Sequence, residues 1–404
     1  MSRFESLKSN SYKALCLFSL FIVWTASSQA MQTDKWDNAF QIHGFLTQGY
    51  VNTTANSFFG DSKDGSFEFR ELGVNSSYRF NPQLMLSAQL LSRTAGEMYD
   101  GSLNIDYAQI DFTPYSSEDS RIGAILGRFK NPFGFYNDTR DVASTRPSIF
   151  VPQVIYWDRV RNMVLSNDGG MFYADLHTDL HSFYFKLFAG KTPIDKNVES
   201  AYLITAFDPD LTQRGLTKGG RLLYEWDGGV FRLALSGATL DLEGTMAGGA
   251  LEGTIDIVYW IASAQYNRGP WSLTLEYMNE PIDYKGFNHV MDAGDTTVDG
   301  YYLQGTYRFS PDWELLARYE EAHFDKNDRD GIETSIKLPP TKPYNHFTKM
   351  LTVGVLWEPT DRLMLRAEFS RVDGAIFLSD LENPDLSETE RYWNMLALLV
   401  SYSF

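Results

Sequence analysis

Three side chains near the middle of the chain could together perform nucleophilic catalysis. Asp175, His177 and Ser182 supply a carboxylate, an imidazole and a hydroxyl, the groups of a serine hydrolase. They flank a predicted short turn at 178–180, which is a poor place to meet a lipid substrate. His177 and His181 straddle this turn and lack the spacing of a helical metalloprotease motif. We therefore predict that the protein is not an enzyme and has no catalytic residue, metal or cofactor.

The N-terminal segment has the features of a secretory signal peptide. Basic residues precede an apolar run at 14–24, and small residues follow at 28–30. We divide the chain into a signal peptide, residues 1–30, and one mature domain, residues 31–404. Cys16 is the only cysteine and lies in the signal peptide, so the exported domain cannot depend on disulfides or thiolate–metal sites.

The composition restricts the class of protein further. The net charge of −17 argues against nucleic acid as a partner, and the sequence offers no basic groove. No apolar run of the mature chain reaches the ~18 residues of a transmembrane helix. Aromatic residues make up 15% of the chain, which suits a transmembrane β-barrel with aromatic girdles at both membrane interfaces. A soluble β protein is also compatible with this composition.

Strand-like runs alternate with tight turns and longer connections. Seven short turns rich in Pro, Gly, Asn or Asp are predicted at 81–83, 114–120, 178–180, 228–229, 268–269, 310–312 and 359–361. Eight longer connections complete sixteen strands, at 39–52, 67–80, 84–95, 103–113, 121–130, 167–177, 181–190, 217–227, 230–240, 254–267, 270–280, 299–309, 313–325, 347–358, 362–373 and 391–404. We therefore predict an all-β fold, a transmembrane antiparallel β-barrel with both termini at the short-turn end.

Alternation within these strands separates an apolar outer face from a polar inner face. In the strand 270–280, Trp271 and Leu273 point outward and Glu276 points inward. The same phasing predicts a set of charged lumen-facing residues: Glu225, Arg232, Arg308, Glu314, Arg318, Arg366 and Glu368. A charge on the lipid face near the midplane would cost about 2–4 kcal/mol, so this segregation supports the barrel.

Two details of strand pairing follow from the same pattern. Hairpin geometry predicts three cross-strand pairs of opposite charge: Glu225 with Arg232, Arg308 with Glu314, and Glu358 with Arg362. Each such pair would contribute roughly 0.2–1 kcal/mol. In the strand 67–80 the aromatic residues change phase, and a β-bulge near Glu71 would reconcile the two halves.

The last strand has the character of a barrel-closing strand. Every second residue from Leu396 to Phe404 is apolar, and this face ends in the aromatic pair Tyr402 and Phe404. A strand that ends the chain in this way fits a barrel whose last strand pairs with the first and removes the sheet edge. The last strand of a secreted β-sandwich is the alternative.

The longest predicted connection, residues 131–166, follows the fifth strand. It is rich in aromatic and aliphatic side chains, from Phe133 to Trp157. Long ordered loops are usually functional, and these apolar side chains need a surface on which to pack. We therefore expect the loop to fold inward against the barrel wall and to narrow the channel.

The segment 127–134, Gly-Arg-Phe-Lys-Asn-Pro-Phe-Gly, leads into the long third loop, and the chain ends in Phe404. In these features the chain resembles the bacterial trimeric porins, and more narrowly the group that includes the phosphate-selective porins O and P. It implies a passive diffusion channel for small hydrophilic solutes or ions in the bacterial outer membrane. It also implies a homotrimer surrounded by lipid and lipopolysaccharide, inserted by the barrel-assembly machinery that reads Phe404.

In porins of this kind the third loop narrows the pore. The resemblance therefore implies a constriction formed by charged loop residues: Asp138, Arg140, Asp141, Arg146, Asp158, Arg159 and Arg161. A substrate-specific channel for anions, such as phosphate or a dicarboxylate, is one alternative, although lysines are few and the inward charges are balanced in sign. An outer-membrane barrel enzyme or an adhesin is the other alternative.

Acidic residues concentrate in the other long loops. They are Asp292, Asp295, Asp325, Asp328, Asp330, Asp380, Glu382, Asp385, Glu388 and Glu390. The simpler interpretation is a solvated external surface. A divalent-cation site between lipopolysaccharide molecules or subunits is the alternative, because calcium prefers oxygen ligands.

Overall fold

The computed structural model of the protein describes residues 39–287, 296–338 and 340–404. The predicted signal peptide and the acidic residues Asp292 and Asp295 lie outside these ranges. Within them, no helix combines the length and the apolar character needed to cross a membrane.

Sixteen antiparallel strands in the described residues form one closed barrel, in which each strand pairs with its sequence neighbours and the last pairs with the first. The strands are β1 (Phe40–Thr53), β2 (Ser66–Asn81), β3 (Leu84–Ala95), β4 (Tyr99–Ser116), β5 (Ser120–Lys130), β6 (Ser166–His177), β7 (His181–Lys191), β8 (Asp210–Trp226), β9 (Phe231–Met246), β10 (Leu251–Arg268), β11 (Trp271–Gly286), β12 (Thr296–Ser310), β13 (Trp313–His323), β14 (Phe347–Thr360), β15 (Leu363–Gly374) and β16 (Tyr392–Ser403). The described long connections contain the helices α1 (Arg161–Leu165), α2 (Lys196–Tyr202) and α3 (Ile332–Lys337). The predicted fold class and strand number are confirmed.

The outer surface follows the predicted alternation. Leu273 and Leu275 of β11 are exposed on the exterior, whereas Thr274 and Glu276 between them are buried inside. At the short-turn end the aromatic rings gather into pairs, such as Trp313 stacked on Trp357 with centroids 5.4 Å apart. An apolar exterior with aromatic rings at one rim suits a barrel that lies in lipid.

The end of the chain closes the barrel. Phe404 and Gly44 exchange two backbone hydrogen bonds, each of 3.0 Å, beyond the register that pairs Leu46 with Tyr402. The Phe404 ring covers Gly44 so closely that a Cβ there would lie 2.4 Å from the ring. Glycine at this position therefore allows the terminal aromatic ring to pack against the first strand.

Strand pairing supports two of the three predicted cross-strand pairs. Glu225 is opposite Arg232, and Arg308 is opposite Glu314. The third pair, Glu358 with Arg362, is wrong, because the register of β14 and β15 shifts at their turn. Glu358 instead accepts a hydrogen bond of 2.8 Å from Arg308.

Two further predictions about the strands need correction. The irregularity in β2 lies at Phe67, where the register shifts between Ser66 and Phe69, and not at Glu71. It turns Phe67 outward and Phe69 inward. The predicted long connection 241–253 is largely strand, because β9 and β10 continue to a tight turn in which Gly248 has a φ of +66°.

The barrel interior is more apolar than the phasing suggested. One buried cluster joins inward residues of β9 to β12, such as Ile257 and Met278, to the loop after β5. A second cluster joins inward residues of β14 to β16, such as Met350 and Met395, to the same loop. The loop after β5 therefore lies inside the barrel between two apolar surfaces.

Candidate channel constriction

The third loop, residues 131–165, turns inward directly after β5. Gly134 adopts a φ of +54°, a conformation that side chains rarely tolerate. A Cβ at this position would lie 2.1 Å from Tyr156 Oη and 2.6 Å from Glu276 Oε1. The sequence Asn-Pro-Phe-Gly thus supplies glycine where the loop passes close to Tyr156 of its own return segment and to Glu276 of the wall.

A buried carboxylate on β11 fixes this part of the loop. Glu276 Oε1 accepts hydrogen bonds from the Phe135 amide at 2.9 Å and from Ser263 Oγ at 2.6 Å. Its Oε2 accepts from Tyr156 Oη and from Tyr302 Oη, both at 2.7 Å. Four donors replace the water that a carboxylate loses on burial, so Glu276 joins the loop to β10, β11 and β12.

Other strands of the wall hold the loop as well. Glu368 of β15 accepts from the Ile149 amide at 2.6 Å, and Arg318 of β13 donates to Ser148 Oγ at 2.5 Å. Arg221 of β8 donates to a carbonyl near the start of the loop. Because the anchors lie on opposite sides of the wall, the loop crosses the interior.

A chain of buried ion pairs joins the third loop to β2 and β3. Glu71 and Arg93 are direct cross-strand partners, with Arg93 Nε 3.2 Å from Glu71 Oε1. Arg146 Nη2 lies 2.7 Å from the second oxygen of Glu71. Arg93 Nη2 and Arg140 Nη2 approach Asp158 Oδ1 at 2.9 and 3.2 Å. Each carboxylate therefore faces two guanidinium groups, as buried charges require.

A second set of buried charges fixes the two ends of the loop. The Lys130 ammonium, at the end of β5, pairs with Asp106 of β4 and with Asp141 of the loop. Arg161, at the start of α1, also pairs with Asp141. Burial lowers the pKa of Arg161 to about 10, which still leaves its guanidinium charged at neutral pH.

Six of the seven predicted constriction residues are buried, with exposed fractions of 2% to 9%: Arg140, Asp141, Arg146, Asp158, Arg159 and Arg161. Arg159 pairs with Asp380 of the last long loop at 2.5 Å. Asp138 is the exception, since its side chain is 25% exposed and accepts a hydrogen bond of 3.2 Å from Arg221. The expectation that the loop arginines line the channel opening is therefore corrected. These arginines are buried and form ion pairs that fix the loop in place.

The predicted lumen-facing residues occupy two different environments. Glu225 and Arg232, 2.7 Å apart, and Arg308, 3.3 Å from Glu314, are partly exposed on the inner wall. Three others are buried behind the third loop: Arg318, Arg366 and Glu368. Among the predicted residues that the structure describes, the first set and Asp138 are the charged side chains that a solute could meet.

Sequence reasoning missed the wall residues that hold the loop charges, chiefly Glu71, Arg93 and Asp106. A signal for one pair was present. The hairpin arithmetic that predicted the other cross-strand pairs places Glu71 opposite Arg93 when it is applied to the turn at 81–83. Asp106 had no such signal, because the register of β3 and β4 shifts beside it. It pairs with Lys130 at the end of β5 and accepts a hydrogen bond of 2.7 Å from Gln89 of β3.

The side chains considered for catalysis are arranged differently from a triad. His177 Nδ1 and Ser182 Oγ are 3.1 Å apart, but Asp175 accepts a hydrogen bond of 2.9 Å from Arg121 Nε. The carboxylate is thus committed to a guanidinium. Among the acidic loop residues, Asp328 accepts two hydrogen bonds of 2.7 Å from Thr334. No group of three side chains suited to a metal ion occurs in the described part of the chain.

Comparison with known proteins agrees with this geometry. Residues 236–375, from β9 to the end of β15, match the model of the family described as phosphate-selective porin O and P. This match covers about a third of the chain and indicates an outer-membrane porin. No curated protein sequence matches it. The family match and the structural neighbours indicate a channel rather than an enzyme.

Solved outer-membrane porins share the fold of this chain at low sequence identity. DcaP of Acinetobacter baumannii, an outer-membrane channel, is 12% identical with a TM-score of 0.56, over 90% of this chain and 97% of DcaP. The anion-selective porin of Comamonas acidovorans is 14% identical with a TM-score of 0.53, over 90% and 99% of the two chains. The trimer form of Vibrio cholerae OmpT is 14% identical with a TM-score of 0.55, over 90% and 99%.

Proposed function

We propose that this porin is a passive channel for small hydrophilic solutes and that the third loop sets its width. The observation that carries the proposal is the attachment of the loop to opposite sides of the wall, at Glu276 on β11 and at Glu71 on β2. A sixteen-strand barrel is wide enough for an aqueous channel, so a loop fixed across it determines what passes.

The exposed edge of the loop is the surface that a solute would meet. It carries Asp138, Thr139, Ser144 and Thr145, which are partly or fully exposed although the rest of the loop is mostly buried. Small hydroxyl groups and a single carboxylate suit the passage of hydrated solutes better than the binding of one partner. On the wall, the exposed pairs of Glu225 with Arg232 and of Arg308 with Glu314 carry both signs of charge.

Introduced cysteines can test this assignment, because the only native cysteine, Cys16, lies in the predicted signal peptide. Thr139→Cys places a thiol on the exposed edge of the loop. We expect a bulky thiol reagent, applied to single channels in a planar bilayer, to reduce their conductance by about half or more. Ser148→Cys is the matched control, since Ser148 is fully buried in the same loop and should not react.

Full modification of Thr139→Cys, measured by mass spectrometry, without any change in conductance would contradict the proposal. A loop edge that does not border the solute path would behave in this way. Reconstituted protein without any conductance would contradict the channel itself.

Anion selectivity is a second proposal, favoured by buried guanidinium groups with unused donors. Arg93 Nη1, Arg140 Nη1 and Arg146 Nε have no hydrogen-bond partner in the described residues. Three arginines face two carboxylates in this cluster, which leaves a local positive charge close to the loop. The Comamonas acidovorans protein of the same fold is an anion-selective porin. The reversal potential in a gradient of KCl gives the sign of the selectivity, and cation preference would contradict this second proposal.

We also propose that the porin is a homotrimer surrounded by outer-membrane lipid and lipopolysaccharide. One relative of the same fold is described in a trimer form. On the exterior of β5 and β6, Arg128 forms two hydrogen bonds of 2.7 Å with Asp168, and its third donor binds the Ile105 carbonyl. A charged pair on the lipid side is costly, roughly 2–4 kcal/mol for an arginine near the midplane, and contact with a neighbouring subunit would relieve that cost.

A further inference from the structure

A cavity of ≈ 120 Å³ lies inside the barrel, between the third loop and the wall. The loop forms one side, through Phe133 and Val160, and the inner faces of β9 to β13 form the other, through residues such as Ile257 and Met278. Partly exposed residues of the last long loop, Ile376 and Phe377, also line it. Apolar cavities of roughly 150 Å³ hold one benzene-sized ring, so this cavity has the size and lining for a small ring.

Most polar groups in the lining are already satisfied by the protein. The Asn131 amide donates to the Val164 carbonyl and accepts from Asn167. The hydroxyls of Tyr259 and Tyr284 donate to the carbonyls of Ile155 and Tyr202, at 2.6 and 3.1 Å. The polar atoms of these groups are bonded within the protein, and their apolar atoms line the cavity.

Glu280 of β11 is different, because its carboxylate lines the cavity with unused acceptor capacity. Tyr202 Oη donates to Glu280 Oε1 at 2.7 Å. No lysine, arginine or histidine of the described residues lies within ion-pair distance of Glu280. Glu276 lies four residues earlier on the same inner face and accepts four hydrogen bonds from the protein. The protein therefore satisfies one buried carboxylate of this strand fully, whereas Glu280 accepts a single hydrogen bond from a side chain. A carboxylate enclosed by apolar groups gains most from a cationic donor.

The aromatic lining favours the same kind of ligand. Phe133 and Tyr259 meet edge to face with centroids 5.5 Å apart, and the rings of Tyr202 and Tyr284 line the cavity together with Glu280. Aromatic faces attract both rings and ammonium groups. We propose that this cavity binds a small primary amine with a single aromatic ring, with the ammonium on Glu280 and the ring against Phe133 and Tyr259. This site goes beyond passive diffusion of hydrophilic solutes and does not depend on whether the bound amine then crosses.

A charged probe and its uncharged analogue test the assignment on the full-length protein in detergent. By isothermal titration calorimetry, 2-phenylethylamine should bind at least tenfold more tightly than 2-phenylethanol, which has the same ring and no cation. Glu280→Gln should weaken binding of the amine at least tenfold and leave the alcohol unchanged. Glu252→Gln is the matched control, since Glu252 is exposed and lies outside the cavity on the neighbouring strand β10.

A second variant tests whether the amine binds in the cavity or to acidic residues on the surface of the protein. Ala238→Leu fills part of the cavity and should abolish binding of both probes, while far-ultraviolet circular dichroism confirms the barrel. Amine binding that persists in Ala238→Leu, or that is unchanged in Glu280→Gln, would overturn the proposal. Equal affinity for the two probes, or no binding of the amine to the native protein, would also overturn it.

Discussion

At the scale of single residues, the charges of the third loop act through burial rather than exposure. Glu71 is 2% exposed and lies between Arg93 and Arg146, and Asp158 lies between Arg93 and Arg140. Burial of these carboxylates without their arginines would be costly, because desolvation of a lone charge costs several kcal/mol. Each arginine therefore neutralises a buried carboxylate, and the ion pair between Arg146 and Glu71 attaches the loop to the wall.

Removal of one buried partner should be costly. Arg146→Met keeps an unbranched side chain but leaves Glu71 with a single guanidinium, so we expect the free energy of unfolding to fall by about 3–5 kcal/mol. Urea titration of the protein in lipid vesicles measures this change. Arg308→Met is the control, since the Arg308 side chain is 38% exposed and its ion pairs are worth about 1 kcal/mol or less. Equal losses in the two variants would contradict the burial argument.

At the scale of elements, the long loops hold one another over the barrel mouth. The connection after β1 presents backbone amides to the connection after β15, and Glu382 accepts from Gly60 at 2.7 Å and from Phe59 at 3.1 Å. Beside it, Asn383 and Ser57 exchange hydrogen bonds of 2.9 and 3.0 Å. The first and last long loops therefore join across the seam where β16 meets β1.

This contact between loops should depend on pH. Burial raises the pKa of Glu382 from 4.5 to about 7, because desolvation outweighs the backbone hydrogen bonds. Its protonated form therefore favours the closed contact, which is most stable below pH 4.5 and loses stability as the pH rises through about 7. Hydrogen exchange of the Phe59 and Gly60 amides, corrected for intrinsic rates, should be faster at pH 8 than at pH 5. Glu382→Gln should remove this dependence, and its persistence there would assign it to another group.

At the scale of the whole molecule, strand pairing and loop packing are separate sources of order. The sixteen strands close on themselves through β1 and β16, which leaves no free sheet edge in the described residues. The third loop packs against parts of the inner wall, and those parts are apolar toward the loop while the outer surface is apolar toward lipid. The exterior pair of Arg128 with Asp168 is an exception to this division, and it lies on the face proposed for contact between subunits.

Loss of the exterior pair at that face should weaken the trimer. Arg128→Ala removes the two hydrogen bonds to Asp168, and we expect the trimer to dissociate at a temperature lower by at least 5 °C, as unheated gel electrophoresis would show. Arg214→Ala is the matched control, because Arg214 pairs with Asp256 on the exterior at 3.2 Å on another part of the barrel. Equal shifts in both variants, or a protein that is monomeric in mild detergent, would contradict the assignment.

The sequence by itself determined the barrel, its strand number and most of the inward and outward phasing. These properties follow from period-two alternation and turn residues, which are local, so Glu225 could be placed opposite Arg232 from the turn alone. It also indicated that the segment after β5 folds inward, because its apolar side chains need a partner surface. The match of residues 236–375 to a porin family agrees with this local pattern.

Only the tertiary structure decided which charges face solvent. Arg146 meets Glu71 across 75 positions of sequence, and Glu276 meets the Phe135 amide across 141, distances at which no periodic pattern carries information. The same is true of the cavity at Glu280, whose lining comes from the third loop, the inner wall and the last long loop. Burial depends on what lies opposite a side chain once the loops have entered the barrel, and that is fixed by packing between distant segments rather than by spacing along one strand.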